Sequence, residues 1–242
     1  MRRTEDIMGM PITVDVRDGD GDLDAVFAEL RRIDATFSPF RADSAVCRIN
    51  DGRSDITDAG AEVADVLALC DAYEISTEGF FSAWRGAVLD PSGLVKGWAI
   101  ARACAMLDAR GHRSYFVDAG GDVRTRGDNG AGEPWRIGIR HPVERASVVR
   151  VVQGRDLAVA TSGTYEKGTH IYDPHTGAAA DELVSLTVVG PSILEADVLA
   201  TAAFAMGERA IAYLERVPGY EAYAIGRDLT ATWTSGFDAV CG

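Results

Sequence analysis

The sequence predicts an α+β fold, with long helices packed against mostly antiparallel sheets. Three observations carry that expectation. Apolar residues recur at helical spacing in long stretches, the clearest being Leu23, Val26, Phe27, Leu30, Ile33 and Phe37. Shorter runs such as PITVDVRD alternate as half-buried strands do. From Ser114 to Gly190 strand-like runs follow one another through loops, with a helical stretch only afterwards.

In chain order, PITVDVRD is a strand and DLDAVFAELRRIDATF the first helix. FSPFRADSAVCRIN is turn-rich, with Pro39 and a helix cap at Asp43 or Ser44. DAGAEVADVLALCDAYEIST is a second amphipathic helix, GFFSAWRGAVLDPSG is irregular and aromatic, and LVKGWAIARACAMLDARG is a third helix closed by Gly111. SYFVDAGGDVRTRG and WRIGIRHP read as two strands joined by a loop containing GDNGAGEP, and ASVVRVVQGRDLAVATSG as two more. THIYDPHTG is a loop with a strong turn signal, and LVSLTVVGP another strand. ILEADVLATAAFAMG is a buried, alanine-rich helix that continues through GERAIAYLERV, and EAYAIG with LTATWTSG closes the chain as a hairpin-like pair.

The 242 residues suffice for one large domain or two small ones. No repeat, linker or low-complexity segment divides them, so one domain over residues 1–242 is expected, its best candidate seam lying in the loop between residues 78 and 95. The net charge of −13 argues against a nonspecific nucleic-acid binder, which carries a basic footprint. No stretch approaches the ~20 apolar residues of a membrane span. The start, MRRTEDIMGM, lacks an apolar run of signal-peptide length, so a cytoplasmic chain with no membrane partner is expected. Cys47, Cys70, Cys104 and Cys241 are widely separated and form no CxxC, which suits neither a zinc site nor a disulfide framework. The first three read as structural thiols and Cys241 as part of a loose tail.

Three clusters carry candidate chemistry. In the alanine-rich helix, Asp197 and Thr201 stand four residues apart and so share one face. Such a pair is either structural, with Asp197 capping or salt-bridging and Thr201 bonding back to its own helix, or offers a carboxylate and a hydroxyl to a hard cation such as Mg²⁺. In DPSGLVKGWA, Asp90, Gly93, Lys96 and Gly97 stand at a helix start, where glycines let a ligand approach and Lys96 could meet phosphate. An ordinary helix-start loop is the other reading, and the spacing is not that of a P-loop. The third cluster joins Gly120 and Gly121 to Thr161, Ser162 and Gly163 of ATSG and to THIYDPHTG, where His170 becomes a general-base candidate only beside a phosphate site. DGDGDLDAVFAE is not an EF-hand, because Leu23 stands where that loop needs glycine. ATSGT does not form the G-x-S-x-G elbow of a hydrolase.

Taken in series, MGM, FSPFRADSAVCRIN, DPSGLVKGWA, DAGGDVR, AVATSG, THIYDPHTG and SLTVVGPSILEADVLATAAFAMG resemble the ApbE family of FAD:protein FMN transferases over nearly the whole chain. The variant looks like the family's short cytoplasmic branch. The resemblance implies a T-fold-like α+β core with FAD in a cleft between two parts. It implies Mg²⁺ held by Asp197, Thr201 and the Gly93 carbonyl, and His170 as the base. It carries FAD contacts onto Met8, Phe40, Phe81, Ser82, Asp90, Lys96 and Ile171, with Thr161 and Ser162 lining the cleft. Phe40 stands where the family often has tyrosine, and Ser82 where aspartate is usual. The implied reaction moves FMN from FAD to a threonine or serine of a target flavoprotein and releases AMP. The resemblance also admits an FAD diphosphatase, and a non-catalytic FAD carrier is a third reading.

Overall fold

The structure, a computed structural model, describes residues 1–20, 22–144, 146–164 and 171–242. Its elements are β1 (Arg2–Ile7), β2 (Met10–Val16), α1 (Asp24–Phe37), α2 (Ala45–Asn50), α3 (Ala61–Ser76), β3 (Trp84–Arg85), β4 (Val88–Leu89) and α4 (Ser92–Ala109). There follow β5 (Tyr115–Ala119), β6 (Asp122–Arg126), β7 (Trp135–Arg140), β8 (Val148–Gly154), β9 (Ala158–Gly163), β10 (Leu183–Gly190), α5 (Ile193–Ala205), β11 (Glu221–Gly226) and β12 (Ala231–Trp233). Eight strands form one sheet in the order β1-β2-β5-β6-β9-β10-β11-β12, every neighbouring pair antiparallel. The α+β expectation holds.

The sheet strands fall into two runs, each of two strands, a helix and two strands. They are β1, β2, α4, β5 and β6, with α1–α3 and the hairpin β3–β4 inserted between β2 and α4, and β9, β10, α5, β11 and β12. The runs meet where β6 pairs β9 through only Val123↔Val159 and Arg124↔Ala158. The sequence shows no repeat, yet the topology repeats, because a fold unit is specified by pattern and burial rather than by residue identity.

Helices cover one face of the sheet. There Val26, Phe27, Leu30 and Ile33 of α1, Ile100 and Leu107 of α4, and Val198 and Phe204 of α5 close on Ile12, Val14, Val117, Leu186 and Val188. The hairpin β7–β8 covers part of the other face. Ile139 and Val152 bury there against Val159, Val189, Tyr223 and Ile225, the side chains that alternation sends to that side.

Several sequence expectations change. β1, unread in RRTEDI, pairs with all of β2 but Val16 through a two-residue turn at Met8 and Gly9, both left-handed (φ 57° and 72°). SYFVDAGGDVRTRG is not one strand but the hairpin β5–β6, whose turn is Gly120–Gly121 at φ 61° and 98°. The irregular stretch before α4 contains the small hairpin β3–β4. GERAIAYLERV gives a 3₁₀ turn and a short helix, Ala210–Leu214, rather than a continuation of α5. Cys241 is no loose tail: it bridges Val152, and the Gly242 N–H reaches the Val151 carbonyl. Ser44 is the cap of α2, accepting from the Cys47 N–H. Burial pushes the Cys70 and Cys104 thiols up to about 12, so both stay protonated and inert. Among the described residues no helix is long and apolar enough to cross a membrane.

Candidate functional site

The site forms where α4 and α5 cross, over the junction of the two runs of strands. Glycine permits that crossing. A Cβ on Gly97 would come within 2.8 Å of the Ile193 carbonyl oxygen and 2.9 Å of both Leu194 Cα and Asp197 Cβ. The sequence reading gave this glycine to a ligand; the structure gives it to α5. Asp197 does not cap its own helix; it forms the salt bridge that its structural reading offers, with Lys96 of α4. Its Oδ2 accepts from the Gly97 N–H across the crossing at 2.8 Å. In a regular helix that N–H serves the Gly93 carbonyl, so the Asp197 carboxylate draws on the same donor.

Lys96, one residue away, lies between two carboxylates. Its Nζ is 2.6 Å from Asp122 Oδ2 and 3.2 Å from Asp197 Oδ1. Among the described residues Asp122 Oδ2 has no partner other than this ammonium. Asp122 Oδ1 accepts from the Thr161 N–H at 2.9 Å, and the Thr161 hydroxyl shares a proton with Thr187 at 2.9 Å. Asp122 and Asp197 are 1% and 2% exposed, whereas the Lys96 side chain keeps 26% of its surface open. Burial pushes the Asp197 carboxyl up from its ordinary range, and Lys96 pulls it back part of the way. Burial alone would lower the Lys96 ammonium, but the Asp122 and Asp197 charges outweigh it and raise it.

The Asp197 carboxylate, the Thr201 hydroxyl and the Gly93 carbonyl are oxygen donors of the kind a magnesium ion takes. Thr201 follows Asp197 by one turn of α5, and a Cβ on Gly93 would stand 3.6 Å from Thr201 Oγ1. Carboxylate, hydroxyl and carbonyl are all hard donors. Among the described residues no group of three or more His, Cys, Asp or Glu side chains gathers to hold a metal.

The remaining predicted residues distribute as follows. Phe81 is buried, and its ring would meet a Gly93 Cβ at 3.3 Å, so it backs the start of α4. The Ser82 hydroxyl donates to Glu74 Oε2 at 3.1 Å and accepts from the Trp84 N–H at 3.1 Å. Asp90 Oδ1 accepts from the Ser92 N–H at 3.1 Å, ordering the entrance to α4. Because Ile12 pairs with Ala119, the Met8–Gly9 and Gly120–Gly121 turns lie at the same end of the sheet; Thr161 and Ser162 join them past Asp122 on β9. Ile171 packs against the helix-side core and its carbonyl accepts from the Ala180 N–H. Phe40 stands apart in solvent, 92% exposed. His170 lies outside the described residues. DPHTG is the tight turn its sequence suggests, closed by the Gly177 N–H on the Asp173 carbonyl at 2.7 Å. Asp122 was missed by the sequence reading; its only signal is its place directly after the two glycines of a turn.

Comparison with known proteins adds an independent line. A family model described as the ApbE family matches residues 8–88 and 83–224. The chain is 37% identical over 143 residues to the FAD:protein FMN transferase of Vibrio cholerae, which covers 54% of this chain and 43% of that protein. It is 32% identical over 159 residues to the enzyme of the same name from Escherichia coli K12, covering 61% and 45%. The chain thus spans less than half the length of these curated relatives. Among solved structures, the flavin transferase ApbE of Vibrio cholerae superposes with a TM-score of 0.85 at 24% identity, covering 99% of this chain and 98% of the other. The apo form of Pseudomonas stutzeri flavinyl transferase ApbE does so at 0.84 and 26%, covering 99% and 96%.

Proposed function

The chain belongs to the ApbE family, and on that footing we propose that it is a Mg²⁺-dependent FAD:protein FMN transferase acting as a single domain. The observation that carries the reading is the meeting of Gly93, Asp197 and Thr201 at a crossing closed by Gly97, with Lys96 beside them. Bound by those oxygens, Mg²⁺ would neutralise charge on the pyrophosphate of FAD.

The protein's residues then take these parts. The acceptor hydroxyl, on a threonine or serine of a target flavoprotein, attacks the phosphorus of the FMN moiety. The bond to the AMP phosphate breaks, AMP leaves, and a phosphoester links flavin to protein. His170 takes the proton from the attacking hydroxyl. Lys96 offers its ammonium to a phosphate or to the isoalloxazine edge. Thr161 and Ser162 line the cleft, and Met8, Phe40, Phe81, Ser82, Asp90 and Ile171 contact FAD. The exposed ring of Phe40 is free to stack on a planar ring. The setting is cytoplasmic, away from nucleic acid and membrane.

The test is incubation with FAD and Mg²⁺, with and without a candidate acceptor flavoprotein, following AMP by chromatography and covalent flavin by in-gel fluorescence. The expected result is AMP together with a fluorescent acceptor band, both lost in Asp197→Ala. AMP without a band for any acceptor would replace transfer with hydrolysis of FAD. FAD recovered intact would reduce the protein to a carrier.

A further inference from the structure

Lys96 stands where a lysine and a divalent cation would contend for one oxygen. Asp197 Oδ2 is committed to the Gly97 N–H, so Oδ1 is the oxygen left for a cation, and Lys96 Nζ is 3.2 Å from it. The same ammonium is closer, at 2.6 Å, to Asp122 Oδ2, an oxygen with no other partner among the described residues. One positive and two negative side chains therefore share a buried space, and the cluster is one positive charge short of neutral. Buried carboxylates need compensation. A lysine suits a movable compensator, being a compact charge on a flexible stem rather than a fixed fork.

We propose that Lys96 is an exchangeable counter-ion, which neutralises Asp197 while no divalent cation is bound and withdraws to Asp122 when one arrives. Asp122 is then a positioning residue: it receives the displaced ammonium, and its Oδ1 contact with the Thr161 N–H keeps it facing the site. A divalent cation at Asp197 turns the cluster's net charge from −1 to +1, and Lys96 need only give up the longer of its two contacts. The inference rests on the metal-site reading above, and it adds Asp122 to that site.

The test titrates the full chain with Mn²⁺ alone, without flavin, and reads free Mn²⁺ by electron paramagnetic resonance. Lys96→Met removes the competitor, and Mn²⁺ binds at least about ten-fold tighter. Asp122→Asn removes the second berth and confines Lys96 to Asp197, and Mn²⁺ binds at least about ten-fold more weakly. Adding Lys96→Met to Asp122→Asn restores binding to the wild-type level or better. General damage to the fold would weaken all three alike, so the opposed signs are what the proposal requires. Should Lys96→Met not fold for want of its positive charge, the comparison of Asp122→Asn with the double variant decides. Weaker binding in Lys96→Met, or unchanged binding in Asp122→Asn, overturns the exchange while leaving the metal site in place. Absence of Mn²⁺ binding by both the wild type and Lys96→Met overturns the metal site itself.

Discussion

The run β1, β2, α4, β5, β6 and the run β9, β10, α5, β11, β12 share one order of elements, yet their central helices carry different chemistry. α4 brings Gly93, Lys96 and Gly97 to the crossing; α5 brings Asp197 and Thr201. Neither helix has a site alone. The two runs are also supported differently. α4 is braced from outside by α1, and Arg102 of α4 reaches Glu29 of α1 and Glu62 of α3. α5 lies between α4 and strands β9 and β10, with most of its residues buried. The hairpin β7–β8, inserted between the runs, thickens the second on its far face. The difference teaches that a repeated topology supplies a frame with two helices facing each other, and that the chemistry arises from what the runs do not share.

The largest expected effect breaks the frame. Phe204 is 1% exposed on α5 within the helix-side core. Phe204→Ala is expected to cost about 3–5 kcal/mol, read from urea unfolding, while the Mn²⁺ affinity of the molecules that remain folded stays at the wild-type value. Next comes the crossing itself. The atoms that a Gly97 Cβ would strike include the Ile193 carbonyl and the Leu194 Cα, which are backbone and cannot turn aside. Gly97→Ala should cost about 1–3 kcal/mol by overpacking, reduced by up to about 1 kcal/mol from alanine's better helix propensity. Unlike Phe204→Ala it should also weaken Mn²⁺ binding, because Asp197 is displaced from Gly93. If Gly97→Ala leaves both stability and Mn²⁺ affinity unchanged, the close approach of the helices is not what assembles the site.

How much of this was legible in the sequence follows the same division. α1, α3, α4 and α5 were legible because a buried helix repeats its apolar residues over many turns, and β2, β9 and β10 because they are apolar enough to stand out. β1 was not, because RRTEDI is charged at most positions and only Ile7 is buried; an edge strand earns its place by backbone pairing, which leaves no hydrophobic mark. The β5–β6 hairpin carried its signal in Gly120–Gly121, two consecutive left-handed residues that make a two-residue turn, but strand-like residues on both sides hid it. In the site, the four-residue spacing of Asp197 and Thr201 placed both on one face, and the glycines of DPSGLVKG marked the partner helix. Asp122 was illegible because its partners, Lys96, Thr161 and through Lys96 Asp197, are distant in sequence and meet only by folding.

The smallest expected effect tests how the first run is braced. Glu29 of α1 accepts from Arg32 Nε at 2.8 Å and from Arg102 Nε at 2.8 Å, while Arg32 also donates to Glu62 of α3 at 2.6 Å. The Arg32 hydrogen bonds, opposed in part by burial and aided by Arg102, hold the Glu29 carboxyl down at about 2 from an ordinary 4.5. Because the folded value is the lower one, the charged form favours folding. Its contribution is complete above pH 4.5 and fades as the pH falls toward about 2. The arginines are nearly half exposed, so solvent and salt screen the network and the contribution is about 1 kcal/mol or less. Glu29→Gln should therefore lower the urea midpoint slightly at about pH 6, less in high salt, and the gap to wild type should shrink as the pH approaches about 2. A gap of constant size across that range would mean that Glu29 holds α1 and α4 together by packing its methylenes, and the first run would then be fastened as the second is, by contact rather than by charge.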